Sequence, residues 1–170
     1  MGRLCVLTGA PGAGKTLLAR ELRAYPFAAV DFDELLEPDG SVLGIDIASP
    51  SVSAESVWPA YNRLWLRITA LLLRAGGPVL VLCPLTPGEW AAAGPDLAGL
   101  PSADWARLDC ADADRTARLT ARGWASADIA DALADAGELR AVVEREFSTT
   151  GCAPARVGAG VAEWVVGGGG

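Results

Sequence analysis

Hydrophobic positions along the chain fall into short blocks whose period changes from one block to the next. Arg3 to Thr8 is a compact apolar run with β-branched residues, which predicts a buried strand leading into a glycine-rich segment. Lys15 to Ala24 reads as a helix with Leu17, Leu18 and Leu22 inward, ended by Pro26. Phe27 to Val30 predicts a second strand, closing on Asp31-Phe32-Asp33. Glu34 to Ile47 has no period and is punctuated by Pro38-Asp39-Gly40, so irregular chain is expected there. The clearest helical signal covers Ser53 to Ala75. In it Val57, Tyr61, Leu64, Trp65, Ile68, Leu71, Leu72 and Ala75 recur at three- and four-residue spacing as one apolar face. Pro59 is expected in its first turn, and Gly76-Gly77-Pro78 stops it.

Val79 to Cys83 is continuously apolar, as in a strand buried on both faces. Trp105 to Cys110 is a weaker strand, and Asp112 is expected to cap a helix running to Arg122. Ser126 to about Arg145 predicts another helix, with Ile129, Leu133 and Ala136 inward and Asp128, Asp131 and Asp135 on a solvated face. Phe147 to Thr150 predicts a last strand, Pro154 to Val166 a final helix, and residues 167–170 a frayed glycine tail. Strands alternating with helices predict an α/β fold with a mostly parallel sheet, in which ligands bind beyond the carboxyl ends of the strands. At 170 residues the expectation is a single domain over residues 1–166.

Composition narrows the function. No apolar run approaches the roughly 20 residues a bilayer span needs, and Pro11 and Lys15 interrupt any signal-peptide pattern. A cytoplasmic protein without a membrane partner is expected. The net charge of −7 argues against a nucleic-acid partner, which usually requires a basic face. There is no histidine, which removes His bases, Ser-His-Asp triads and His-bound zinc. Cys5, Cys83, Cys110 and Cys152 have no metal-ligand spacing, and the first three sit in or beside apolar runs as small core residues. Of the 14 basic residues only Lys15 is a lysine.

That lysine stands in Gly9-Ala10-Pro11-Gly12-Ala13-Gly14-Lys15-Thr16, followed by Leu17, between the first strand and the first helix. Such a loop wraps its N–H groups around phosphate oxygens, and the helix behind it adds the positive end of its dipole. Lys15 then reaches the β- and γ-phosphates and the Thr16 hydroxyl becomes a ligand for Mg²⁺, so a nucleoside triphosphate with Mg²⁺ is expected there. A GTPase would need a second lysine in its base-reading motif, so Asp96-Leu97-Ala98-Gly99 carries no weight. A motor would need a carboxylate where Val79 to Leu82 ends in Cys83-Pro84. Asp31 and Asp33 are the candidates for that missing chemistry. In an extended segment their side chains share one side. One carboxylate would then assist Mg²⁺ and the other accept the proton of an attacking hydroxyl.

The phosphate loop, Val30-Asp31-Phe32-Asp33-Glu34 and Arg118-Leu119-Thr120-Ala121-Arg122-Gly123 together resemble the small P-loop kinases. These include shikimate and gluconate kinases, chloramphenicol phosphotransferase and nucleoside monophosphate kinases. The resemblance implies a three-layer α/β/α fold with a five-stranded sheet. It also implies phosphoryl transfer from MgATP to a hydroxyl of a small-molecule acceptor, by a monomer or homodimer. It gives the Asp31 and Asp33 pair the roles of a magnesium-associated acid and an acceptor-binding base, and we expect Asp31 at the metal and Asp33 at the acceptor hydroxyl. In a short lid over residues 118–126, Arg118 is assigned to the adenine and Arg122 to the transferred phosphoryl group. Ser148-Thr149-Thr150-Gly151-Cys152-Ala153-Pro154 is similar to the loop near the adenine in that family, which usually has Asp where Ser148 stands. Two rival readings are a non-catalytic ATP-binding switch and a nucleoside or nucleotide kinase. Glu34 to Val52, with Arg63 and Arg67, occupies the acceptor region. The two arginines, four apart, would either grip an anion or solvate their helix, and Trp58, Trp90 and Trp124 are candidates for the acceptor pocket.

Overall fold

The computed structural model describes residues 2–42, 44–46, 54–93 and 99–167. The expected acceptor segment over 47–52, the start of the long helix at Ser53, Asp96 to Ala98 and the tail over 168–170 lie outside the described residues. A parallel sheet of five strands runs in the order β2-β5-β1-β6-β7, with β1 Leu4–Thr8, β2 Ala28–Asp31, β5 Val79–Cys83, β6 Ala103–Asp109 and β7 Glu146–Ser148. The chain leaves β1 toward β2 but leaves β5 toward β6. The direction of travel therefore reverses between the adjacent β1 and β5, where a crevice opens at the carboxyl ends.

Every residue of β1 and β5 is buried, as their unbroken apolar runs require. Alternation sends their side chains to two separate cores. Cys5, Leu7, Leu80, Leu82 and Leu108 pack beneath α1 (Lys15–Leu22) and α6 (Pro154–Gly167). Leu4, Val6, Val79, Val81 and Cys83 pack on the opposite face beneath α2 (Ala54–Leu73) and α3 (Pro87–Ala92). Helices on both faces make the three layers, so the expected α/β/α architecture is the one observed. Cys5, Cys83 and Cys110 are buried, as expected of small core residues.

Several local expectations are corrected. Glu34 to Ile47 is not structureless: it takes in the end of a 3-10 turn, Phe32–Leu35, and the two-stranded hairpin β3 Ser41–Val42 with β4 Ile45–Asp46. Helix α3 has no apolar period long enough to read from sequence. It is started by a capping box in which Thr86 and Glu89 satisfy each other's backbone N–H. Pro59 lies inside α2, beyond its first turn. The buried stripe of α2 is Tyr61, Trp65, Leu66, Thr69 and Leu73, while Leu64 and Leu71 are exposed. Thr69 is tolerated inside because its hydroxyl donates to the Trp65 carbonyl. Leu17 also faces out, leaving Leu18, Ala19 and Leu22 as the buried face of α1.

Helix α4 spans Asp112–Ala121 and α5 spans Ser126–Val142. Asp112 does not cap α4. Ala111 occupies that position without a side-chain bond, and Asp112 instead pairs with Arg140 at 2.8 Å. Gly167 continues α6 rather than fraying from it.

Candidate nucleotide and phosphoryl-transfer site

The phosphate loop fills the turn from β1 to α1. Gly9 N–H donates to the Cys83 carbonyl at 3.0 Å, which ties the loop to the end of β5 at the crevice. Gly12 and Gly14 have φ of 81° and 106°, backbone that an L side chain adopts only with strain, so these two glycines permit the wrap. Gly14 is the N-cap of α1, and no side chain satisfies that helix end. The first N–H groups of α1 are thus left to an anion.

Three successive loop carbonyls are each held from outside the loop. Arg115 donates to Pro11 O, Arg118 donates to Gly12 O at 3.1 Å, and the Thr149 hydroxyl lies 2.9 Å from Ala13 O. These contacts pin the loop from outside, while the Ala13 N–H closes a turn within it on Ala10 O at 3.2 Å. Arg115 is fully buried and forms a 2.6 Å ion pair with Asp109 at the end of β6. Asp109 also receives Arg140 at 2.6 Å and the Cys110 N–H at 2.8 Å. Burial acts to raise its pKa, but these bonds prevail and hold its carboxyl below the usual carboxylate range. None of this network was visible in the sequence, where Arg115 and Arg140 look like ordinary surface arginines. The available signal was a carboxylate closing an apolar strand.

Lys15 donates to the Gly9 carbonyl. Burial lowers its pKa, opposed by the negative charges of Asp33 and Asp31, so the three groups form one electrostatic unit. The two aspartates differ, which corrects the extended-chain expectation. Asp31 ends β2, and the chain then turns into the 3-10 helix because Asp31 caps it. Asp31 Oδ1 accepts from Asp33 N–H at 3.2 Å, and Glu34 Oε2 accepts from Asp31 N–H at 3.0 Å. Asp31 is 2% exposed, and its Oδ2 is buried with no partner among the described residues. Burial first, then the Asp33 charge, pushes its pKa up to about 6. Asp33 is exposed and lines a cleft of about 470 Å³ together with Lys15, Thr16 and Arg122.

A second, more apolar pocket adjoins the loop. Leu17, Arg118, Arg122, Thr149, Cys152 and Val157 are among its lining residues. Exposed Leu17 thus forms part of its wall, and the Thr149 to Pro154 segment forms another. Arg118 presents the pocket with a side chain whose N–H groups are engaged with Gly12 and Thr149. Arg122, the C-cap of α4, lines both this pocket and the cleft holding Asp33, so it stands where the two meet. Of the three candidate tryptophans, Trp58 and Trp124 line that cleft, whereas Trp90 is buried edge-on against Trp105. Arg63 lines a neighbouring pocket with Asn62 and Glu89, and Arg67 lines neither the cleft nor the apolar pocket. Among the described residues no helix is long and apolar enough to cross a membrane.

No protein-family model matches the chain, and no curated protein sequence matches it. Solved structures do. The tunicamycin resistance protein of Deinococcus radiodurans has 19% identity and a TM-score of 0.66, over 98% of this chain and 96% of that one. Shikimate kinase from Acinetobacter baumannii, solved with shikimate, has 16% identity and a TM-score of 0.63, over 98% and 94%. An unliganded sugar kinase from a Janibacter species has 18% identity and a TM-score of 0.62, over 98% and 96%. Likeness at this level of identity is likeness of fold. The chain has the fold of the small P-loop kinases.

Proposed function

We propose that the chain is an ATP-dependent phosphotransferase that moves the γ-phosphoryl group of MgATP to a hydroxyl of a small-molecule acceptor. The observation that carries this reading is the placement of Asp33 in one cleft with Lys15, Thr16 and Arg122. A loop that only binds a triphosphate has no use for an exposed carboxylate opposite it. A transferase needs one, to orient the acceptor hydroxyl and take its proton.

In this reading the loop N–H groups and Lys15 hold the phosphates. The apolar pocket beside Leu17 and Cys152 takes the base, with Arg118 along its wall. Arg122, reaching from that pocket into the cleft, offsets charge on the group in transit. The residues also suit Mg²⁺: a buried oxygen of Asp31 has no hydrogen-bond partner among the described residues, and Thr16 lines the cleft with Lys15 and Asp33. Bound Mg²⁺ would neutralise charge on the β- and γ-phosphates. Asp33 meanwhile accepts the acceptor's proton as its oxygen attacks the γ-phosphorus, and ADP leaves.

The test is ADP release from MgATP, with and without each member of a panel of sugars, hydroxy acids, nucleosides and hydroxyl-bearing antibiotics. Release that one acceptor raises by about a hundredfold or more is expected. Tight ATP binding with release that no acceptor alters would favour the switch module instead.

A further inference from the structure

Beyond the phosphate loop, the walls of the cleft have a character of their own. Leu36, Trp58, Pro84 and Trp124 supply them, with Asp33 as the carboxylate in their midst. Trp58 and Trp124 are 40% and 39% exposed, whereas Trp65, Trp90 and Trp164 stand at 3%, 6% and 9%. An open indole at a cleft leaves a large apolar face in water, and a ligand ring that covers it removes that cost.

Trp58 is also fixed relative to Asp33. It packs edge-on against Tyr61, with ring centroids 6.0 Å apart and planes at 83°. The Tyr61 hydroxyl and Trp65 Nε1 both donate to the carbonyl of Phe32, the residue before Asp33. Phe32 itself stacks on Trp65 at 5.1 Å and 7°. One aromatic cluster therefore sets both the indole face and the turn that carries the carboxylate.

The charges point the same way. Among the described residues lining the cleft, the cations are Lys15, in the phosphate loop, and Arg122, at the end of α4. The residues outside the described set (1, 43, 47–53, 94–98 and 168–170) include neither lysine nor arginine. Past Trp58, Arg63 lies in an adjoining pocket together with Glu89; inside the cleft itself an acceptor carboxylate or phosphate would have to share the cations that serve the triphosphate.

Resting on the phosphotransferase reading, we infer that the acceptor is an uncharged ring alcohol, a rigid ring with an apolar face for Trp58 and Trp124 and a hydroxyl directed at Asp33. In the step, the hydroxyl oxygen forms a bond to the γ-phosphorus and the bond to the β,γ-bridging oxygen breaks. The electron pair leaves with ADP, and the hydroxyl proton passes to the Asp33 carboxylate. A sugar ring and an aryl alcohol share this chemistry.

The full chain with MgADP is titrated calorimetrically with neutral pyranosides, aryl alcohols, shikimate, gluconate and nucleoside 5′-monophosphates, while ADP release is followed separately with MgATP. A neutral ring alcohol of one of the two classes is expected to bind more tightly than every anion. Trp58→Ala and Trp124→Ala are each expected to weaken that binding by about tenfold, and Trp58→Phe to restore most of it. A neutral ring that binds in this tryptophan-dependent way without turnover upholds the acceptor class and sinks phosphoryl transfer. Turnover of an anionic acceptor, unaltered in Trp58→Ala, does the reverse. Failure of every neutral ring alcohol to bind also overturns the inference.

Discussion

Asp31 and Asp33 are two residues apart, yet the fold gives them opposite surroundings. Capping its own turn draws Asp31 inward to 2% exposure and leaves one oxygen without a partner among the described residues, while Asp33 stays open to the cleft. With its pKa raised from 3.8 to about 6, Asp31 binds its proton more tightly in the folded chain than in the unfolded one. The stability this contributes is present below pH 3.8 and is lost as pH rises through about 6. Asp31→Asn keeps the hydrogen bond to Asp33 and removes the buried charge. It is expected to raise stability at pH 7.5 by about 2 kcal/mol in urea unfolding without Mg²⁺. The same variant should lose most phosphoryl transfer, and wild-type kcat/KM for MgATP, which reports the metal-free enzyme, should rise with pH through about 6 as the carboxylate ionises. Destabilisation by Asp31→Asn, or a pH profile flat from 5 to 7, would contradict this role. Arg122→Ala, acting where the two pockets meet, is expected to lower kcat by about a hundredfold with ATP affinity changed far less. Equal loss in both would make Arg122 a ground-state binding residue.

At the scale of elements, the phosphate loop is shaped from outside as much as by its own glycines. Arg115, Arg118 and Thr149 come from α4 and the segment after β7, and they hold three consecutive loop carbonyls. Arg115→Met would free Pro11 O and strip Asp109 of one buried partner. Its expected cost is about 3 kcal/mol in urea unfolding, with about a tenfold loss in ATP affinity by calorimetry. Lysine should not rescue it, because one ammonium cannot span both partners as the guanidinium fork does. An Arg115→Met chain that binds ATP as tightly as wild type would show that the loop shapes itself.

The glycine loop and the continuously apolar strands were legible in the sequence because their signals are local: a fixed spacing, or an unbroken run. The face of α2 was not. Leu64 and Leu71 look apolar but point to solvent, while Thr69 hides its hydroxyl on Trp65. The turn after β2 was misread because a side-chain cap, rather than the backbone period, decides it. The Arg115–Asp109 network was illegible because an arginine's burial depends on which strands are neighbours, and spacing does not carry that. Trp65, central to the aromatic cluster, should lose about 3–5 kcal/mol on change to Ala, read by urea unfolding.

At the scale of the whole molecule, sheet order brings the parts together. The reversal between β1 and β5 opens the crevice, β1 delivers the phosphate loop to it, and β2, on the far side of β5, delivers the two aspartates. Helix α4, following β6, supplies Arg115, Arg118 and Arg122 from the other side. A cleft built from both flanks of β1 sets the phosphate loop on one wall and the Asp33 carboxylate on the other, as the proposed transfer requires. The most direct test follows phosphoryl transfer by ³¹P NMR, comparing wild type with Asp33→Asn on the best acceptor from the panel. The account predicts a phosphomonoester signal with wild type, a rate lower by about a thousandfold in Asp33→Asn, and ATP affinity the same in both. Transfer by Asp33→Asn at the wild-type rate would contradict it.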